Sequence, residues 1–480
     1  MYSKFGQFID GKWEQADKKE TYDVINPATE EVIGKASKAS SIDVEKALKS
    51  AEKGFKTWRR FSPWKRAEII RKIADLIRKK NNELAKWMTL ETGKPLSEGL
   101  AEVSASADIF EWNAEETKRI YGQTIQSRFE DTRVTINYEP VGVVVALSPW
   151  NFPLVLAARK ISTALAAGCS VICKPDIITP GTVMELVDIA DKCGVPPGVI
   201  NLLSGDPASI ASQLISSDIV KKISLTGSTR VGKIILKQAA EKIQRVTMEL
   251  SGHAPFIVHE DANIEKAIDI AMAAKYRNNG QVCISPSRFY IHKNKKEKFT
   301  KSFVEKTLKL KIGNGMDKNV QLGPITTKKR LEEIEQLVEA TKQEGAKILC
   351  GGKKPSGFNK GYFYEPTVFD NVKDNFKIMT QEPFGPLTPI LSFENFDEVI
   401  KKANNQVAGL AAYVCTSSIE LANETSEALE TGMVAINTPF ISNAETPFGG
   451  IKQSGYGREG GSMGIKDYLN IKYTHLGIKG

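Results

Sequence analysis

Short unbroken apolar runs recur at near-regular intervals in the middle of the chain: Val143-Val144-Val145-Ala146-Leu147, Ser170-Val171-Ile172-Cys173, Val199-Ile200-Asn201-Leu202-Leu203, Lys222-Ile223-Ser224-Leu225 and Val246-Thr247-Met248-Glu249-Leu250. Runs this short and this apolar read as strands covered on both faces. The stretches between them, for example 157–167 and 182–192, have helical character. Repeated strand-helix-strand units predict right-handed crossovers, a largely parallel sheet, and a ligand site at the carboxyl ends of the strands.

Elsewhere the pattern changes. Arg133-Val134-Thr135-Ile136-Asn137-Tyr138 alternates polar and apolar, and Leu469, Ile471 and Tyr473 alternate with Asn470, Lys472 and Thr474. Each reads as a strand with one wet face. Though remote in sequence, the two are expected to form a small projecting sheet whose exposed edge pairs with another subunit. Near the start, Asp10-Gly11 supplies the left-handed residues of a tight hairpin over 8–13. Ser62-Pro63 opens a helix whose apolar positions Ile69, Ile73, Leu76, Ile77 and Leu84 predict one long amphipathic element ending near Gly93-Lys94-Pro95. Another helix is expected over about 97–120. After Gly252 a second α/β region is expected, with helices near 264–274, 295–308 and 328–344 and strands near 289–292, 388–393, 410–416 and 433–437.

The length of 480 residues exceeds what one hydrophobic core serves, so two or three domains are expected. The longest apolar run, 141–147, is far too short to span a bilayer, and the first residues form no apolar leader, so no membrane association is expected. The net charge of +9 and the pI near 9.0 do not point to nucleic acid, because lysines alternate with acids, as in 293–298, and no aromatic-interleaved basic platform is present. The six cysteines are too sparse for a disulfide scaffold, which suits a reducing cytoplasm. Cys169 and Cys173 have no histidine nearby in sequence, so no metal is expected.

Chemistry concentrates in Asn278-Asn279-Gly280-Gln281-Val282-Cys283-Ile284-Ser285-Pro286-Ser287-Arg288. A thiolate is the strongest of the common nucleophiles, and Cys283 is set apart from the other cysteines by its flanks. Gly280 permits close backbone approach, Asn278, Asn279 and Gln281 are polar, and Pro286 narrows the backbone choices at that end of the stretch. An inert core thiol is the competing reading for any single cysteine. Leu225-Thr226-Gly227-Ser228 ends a strand and opens a helix whose free N–H groups suit a phosphate, or else makes an ordinary capped turn. Gly455, Gly457 and Gly460 match the dinucleotide spacing, but no strand leads into them. Asn151, held between Pro149 and Pro153, is suited to donate to a developing oxyanion, or simply turns the chain. Glu249 closes the fifth apolar run, where entry into an apolar cleft would raise its pKa and equip it as a general base; most glutamates are simply solvated.

Taken together, Asn151, Lys174, Gly227-Ser228, Glu249, Cys283, Glu382-Pro383-Phe384-Gly385-Pro386 and Phe448-Gly449-Gly450-Ile451-Lys452 stand in the order and approximate spacing of the aldehyde dehydrogenases, which the chain resembles over nearly its whole length. The resemblance implies an α/β fold with a Rossmann-like NAD(P)-binding domain (1–121 and 140–250) and a second α/β catalytic domain (251–445). It also implies a small bridging or oligomerisation β-sheet from 122–139 and 446–480. It gives Cys283 the attack on the aldehyde carbon, Asn151 and the Cys283 N–H the oxyanion, and Glu249 the activation of the hydrolytic water. It makes Ser148, Trp150, Lys174, Gly227, Ser228, Glu382 and Phe384 cofactor-binding residues, with Lys174 at the adenosine ribose, Glu382 at the nicotinamide ribose and Phe384 near the nicotinamide. NAD-preferring members often carry a glutamate three residues after this lysine. Here that position is Ile177, beside Asp176, and the loss of a charge that repels a 2′-phosphate leaves the cofactor as NAD or NADP.

In texture the chain resembles the succinic semialdehyde and 2-oxoglutarate semialdehyde dehydrogenases. In the former, two arginines and a serine grip the far carboxylate of the substrate, and the matching positions are Arg159, Arg277 and Ser442. Ser285 stands where some of these enzymes carry a second, redox-regulating cysteine, so that regulation is not expected. The expected function is oxidation of succinic semialdehyde to the acid by a cytoplasmic homo-oligomer, dimer or tetramer. Alternatives are 2-oxoglutarate semialdehyde (2,5-dioxopentanoate) or a broad range of aliphatic aldehydes. The rival of another class is a cysteine-dependent hydrolase or esterase, which needs a histidine partner that the sequence does not convincingly supply. A non-catalytic derivative would be expected to have lost Cys283, Glu249 or Asn151, and all three are present.

Overall fold

A computed structural model of the chain describes residues 2–478. The repeated apolar runs become the strands Val143–Leu147, Ser170–Lys174, Ile200–Leu202, Val220–Thr226 and Arg245–Glu249, all parallel to their neighbours. In space they lie in the order third, second, first, fourth, fifth. The order reverses beside Val143–Leu147, so a crevice opens beyond the carboxyl ends of that strand and of Val220–Thr226. The predicted hairpin, turning through Asp10 (φ 50°) and Gly11 (φ 79°), extends this sheet along one edge, and Gly455–Tyr456 closes the other edge antiparallel to Arg245–Glu249.

The helix expected to run unbroken from Ser62 to Gly93 is two helices. Ser62 accepts the Lys65 N–H and Pro63 occupies the first turn, as the sequence indicates, but helix Pro63–Lys79 ends at Lys80 (φ −94°, ψ 16°) and a second helix, Asn81–Thr92, ends at left-handed Gly93 (φ 82°). Both pack against helix Leu96–Thr117, so the apolar periodicity continues across a break in the backbone.

The second sheet is also largely parallel, with Ala254–Val258, Pro286–His292, Thr367–Asp370, Leu387–Phe393, Ala411–Cys415 and Met433–Ile436, and with Lys347–Cys350 antiparallel at its edge. Ala254–Val258 escaped the sequence reading because Pro255 argues against a central strand; the missing N–H is absorbed at a register shift between Ala254 and Pro255. Helices Ile264–Tyr276, Lys293–Thr307 and Lys328–Gln343 lie close to the expected segments.

The two alternating segments pair with each other: Leu469–Gly477 runs antiparallel to Thr132–Pro140 along its full length, with the short strand Gln123–Ile125 beyond. Of the stretch 446–480 expected in this sheet, the residues before Leu469 instead pack on the body. Ile451–Lys452 pairs with Ala408–Gly409, and Gly455–Tyr456 joins the first sheet. Leu469–Gly477 is an edge strand of this sheet, and on one face it carries Ile471 and Tyr473, each 70% exposed. Among the described residues no helix is long and apolar enough to cross a membrane, and no cluster of three metal-ligating side chains occurs.

Candidate active site

Helix Ile264–Tyr276 gives way to a tight turn over Arg277–Gly280, in which Asn278 (φ 47°, ψ 37°) and Asn279 (φ 55°, ψ 34°) are both left-handed. Asparagine tolerates this region better than other side chains, yet two in succession persist only when the surroundings fix them. Asn278 donates its N–H to the Glu98 carboxylate (2.7 Å) and its side-chain amide to the carbonyl of Asn151 (2.9 Å). The Asn279 amide donates to the Gly323 carbonyl (2.9 Å). Gly280 (φ 72°) lies so close to the next segment that a Cβ would fall 2.3 Å from the Gly385 oxygen. The turn delivers Cys283, half-buried, to the meeting point of two cavities.

One cavity, of about 390 Å³, runs between helices Leu96–Thr117 and Pro153–Ala167; Phe152, Arg159, Arg277, Ser442 and Phe448 are among its walls. The other, of about 420 Å³, lies over the carboxyl ends of the first sheet, against Trp150, Gly227, Ser228, Glu249, Glu382 and Phe384. Asn151 and Cys283 line both. Burial first, then the Glu382 and Glu249 carboxylates, push the Cys283 thiol up to about 12 against the opposing Arg277, so the resting residue is a thiol. Asn151 is buried, its amide nitrogen 3.1 Å from the Gln281 carbonyl. One N–H of that amide therefore remains for a second acceptor in the cavities that Asn151 and Cys283 both line.

Glu249 ends its strand 2% exposed, and neither carboxylate oxygen has a hydrogen-bond partner among the described residues. Burial, reinforced by the neighbouring Glu459 carboxylate, holds its pKa well above the ordinary carboxylate range, while Lys160, Arg458 and Arg159 oppose this. Behind it Lys160, fully buried, pairs with Glu459 and donates to the Thr226 hydroxyl (2.7 Å), and Ser224 donates to the same Glu459 oxygen (2.9 Å). The sequence reading missed this pair because its members lie 299 positions apart and neither stands in a motif.

The three expected substrate residues are brought to one cavity but differ in setting. Arg159 is 3% exposed, stacks over Phe448 (5.2 Å) and donates from Nη2 to the Ser442 hydroxyl (2.9 Å) and the Asn443 carbonyl (3.3 Å); its Nη1 has no acceptor. Arg277 is exposed and lies over the Phe152 ring at 5.0 Å. Gly460, rejected as part of a dinucleotide motif, serves here instead, because a Cβ at that residue would come within 2.4 Å of Arg159 Nη1.

On the other side, five of the expected cofactor residues share one cavity: Trp150, Gly227, Ser228, Glu382 and Phe384. Ser148 and Lys174 lie next to each other at neighbouring strand ends, the Ser148 N–H 3.4 Å from the Lys174 carbonyl, outside the lining of either cavity. Ser228 caps helix Thr229–Ala240, accepting the Val231 N–H, and the space above Gly227 is open, since a Cβ there would meet only Leu225 Cδ1 at 3.6 Å. A helix N-terminus with free space in front of it suits a phosphate. Trp150 and Phe384 meet edge to face at 5.6 Å, and burial lifts the half-buried Glu382 to about 7. These residues fit a dinucleotide. Among the described residues lining either cavity there is no histidine, so the thiol has no imidazole partner there.

A cysteine shared between a dinucleotide-type crevice and a cation-bearing tunnel defines a thiol-dependent oxidoreductase rather than a hydrolase. The chain belongs to the aldehyde dehydrogenase family, whose model matches residues 13–474, and is an NAD(P)-dependent enzyme of that family. It is 40% identical over 470 residues to the NADP(+) succinate-semialdehyde dehydrogenase GabD of Escherichia coli, covering 98% of this chain and 97% of that one. It is also 40% identical, over 471 residues with the same coverage, to the glutarate-semialdehyde dehydrogenase of Pseudomonas putida. The solved NAD+ complex of an aldehyde dehydrogenase from Bacillus cereus superposes with a TM-score of 0.97 at 37% identity, covering 99% of this chain and 97% of that one.

Proposed function

We propose that the protein oxidises an aldehyde whose far end is a carboxylate, succinic semialdehyde in the first place, to the corresponding dicarboxylic acid. The observation that carries this is the buried Arg159, anchored by Ser442 with one nitrogen unsatisfied, in the tunnel that ends at Cys283. A buried guanidinium nitrogen left without an acceptor is costly, and a substrate carboxylate would relieve that cost with charge-assisted hydrogen bonds. Arg277 supplies a second cation on the same wall. The names of the relatives, acting on succinate and glutarate semialdehydes, support a short carboxylate-bearing chain. 2-Oxoglutarate semialdehyde has the same terminal group and remains the second candidate.

In this reading Cys283 gives its thiol proton to solvent as Sγ bonds to the aldehyde carbon, the carbonyl π electrons pass to oxygen, and that oxyanion is held by the Asn151 amide and the Cys283 N–H. The nicotinamide cofactor, when bound, supplies the acceptor for the hydride. Trp150, Gly227, Ser228, Glu382 and Phe384 hold it, with Lys174 at the adenosine end. The acyl group then sits on Cys283 as a thioester, and Glu249 takes the proton from the water that releases it as the acid. Ile177, 37% exposed where many NAD-preferring relatives carry a carboxylate, supports use of NADP as well as NAD. A kcat/KM with NAD about a hundredfold above that with NADP would end that part of the proposal. The exposed row on Leu469–Gly477 supports a homo-oligomer, which light scattering in solution tests directly. The six unpaired thiols support residence in the cytoplasm.

The deciding experiment is a substrate panel with Arg277→Ala. Loss of one charge-assisted contact should lower kcat/KM for succinic semialdehyde about 10- to 100-fold and leave butanal little changed. An equal fall for both aldehydes would remove the carboxylate grip.

A further inference from the structure

The joint Gly93-Lys94-Pro95 between helices Asn81–Thr92 and Leu96–Thr117 reaches the main chain of Asn151, which lines both cavities with Cys283. Lys94 is 1% exposed. Its Nζ donates to Glu102 Oε2 (2.5 Å) and to the backbone carbonyl of Asn151 (2.8 Å), and lies 4.0 Å from the centre of the Phe152 ring. The other Glu102 oxygen accepts the N–H groups of Leu154 (3.0 Å) and Val155 (3.2 Å). These belong to the first turn of helix Pro153–Ala167, whose cap position, Phe152, makes no side-chain cap bond. The carbonyl of Asn151 is bonded a second time, by the Asn278 side chain at 2.9 Å.

A buried ion pair is weak evidence for stability, because desolvation offsets most of the attraction. What distinguishes this pair is what it holds. Lys94 grips the main chain of Asn151 itself, Glu102 grips the helix turn immediately after it, and the Asn151 side-chain amide donates to the Gln281 carbonyl on the nucleophile loop. An oxyanion donor works only if it is fixed before the charge develops, and an error of an ångström is expensive. We propose that Lys94 and Glu102 are positioning residues that set the Asn151 amide against Cys283. This rests on Asn151 as the oxyanion donor and not on the identity of the aldehyde.

The test therefore uses p-nitrophenyl acetate, which needs neither cofactor nor tunnel recognition. Cys283 Sγ bonds to the acyl carbon, its proton passes to solvent, and p-nitrophenolate leaves with the electron pair of the broken C–O bond. Water then hydrolyses the thioester to acetate and restores the thiol. Lys94→Met should lower kcat for this reaction about 30-fold with KM within about threefold, while alkylation of Cys283 by iodoacetamide, which develops no oxyanion, stays within about twofold. Because Lys94 acts through Asn151, Lys94→Met combined with Asn151→Ala should be no slower than Asn151→Ala alone. Multiplying losses in the double variant, a parallel fall in alkylation, or a kcat within about twofold of the wild type would each overturn the assignment. Glu102→Gln, which keeps the acceptor for the helix turn and removes the charge facing Lys94, should give a smaller loss of about fivefold with the same non-additivity, and it carries the test if Lys94→Met does not fold. A protein inactive on every semialdehyde yet non-additive in this cycle would defeat the proposed substrate and leave the positioning role intact.

Discussion

The two cavities that meet at Cys283 act on its sulfur with opposite sign. On the sheet side the wall presents carboxylates, Glu249 and Glu382, both driven toward the protonated form by burial. On the helix side acids line the wall as well, among them Glu98 and Glu102, but the charged group that acts on the sulfur from there is the Arg277 guanidinium. The pKa of the sulfur is raised chiefly by burial and, to the extent that they ionise, by these carboxylates from one direction, and lowered by Arg277 from the other. Burial first and the carboxylates second keep the sulfur protonated in the empty enzyme, and under the proposed function the arginines select the substrate.

Removing the shared centre should collapse the comparison altogether. Cys283→Ser should lower oxidation by at least about 10⁴-fold with both substrate classes, measured by steady-state cofactor reduction. On the sheet side, Glu249→Gln should cost about 10²- to 10⁴-fold in turnover while leaving the first half of the reaction in place. Intact-protein mass spectrometry should then find an acyl group retained on Cys283, and failure to trap one would deny Glu249 its part in hydrolysis. On the helix side the two arginines should separate. Arg159→Ala should lower kcat/KM for succinic semialdehyde by about 100-fold and also lower thermal stability, because Arg159 is buried and bonded to the loop at Ser442. Arg277→Ala, exposed and without those bonds, should leave stability nearly unchanged. The smallest effect concerns the sulfur itself. With the thiol pushed up to about 12, the thiolate fraction rises as pH rises, so alkylation of the cofactor-free enzyme should increase about tenfold per pH unit from 7 to 10. A plateau below pH 9 would mean that the cationic side wins.

Much of this arrangement is written locally. The apolar runs state the first sheet, the alternating strands state the projecting one, and Asn151, Glu249 and Cys283 sit at positions where strand ends and turns must carry polar groups. What is not written locally is the support. Lys94 and Glu102, or Lys160 and Glu459, are ordinary charged residues until folding buries them together, and no spacing rule marks such a pair. The break at Lys80 was hidden for a related reason: apolar spacing records which face is buried, and that face stays the same on both sides of the break. Gly460 shows the reverse error that a motif invites, since its glycine serves the Arg159 guanidinium rather than a nucleotide.

The turn that carries Cys283 has a consequence for chemical ageing. An asparagine followed by glycine is the pair in which the next backbone nitrogen most readily attacks the side-chain amide and expels ammonia, and Asn279-Gly280 is such a pair beside the reactive thiol. Here the Asn279 amide is buried and bonded to the Gly323 carbonyl, its backbone is fixed in the left-handed region, and Gly280 is wedged against Gly385. Deamidation at this site must therefore wait for the loop to open, so its rate measures local unfolding of the catalytic turn rather than the intrinsic reactivity of the sequence.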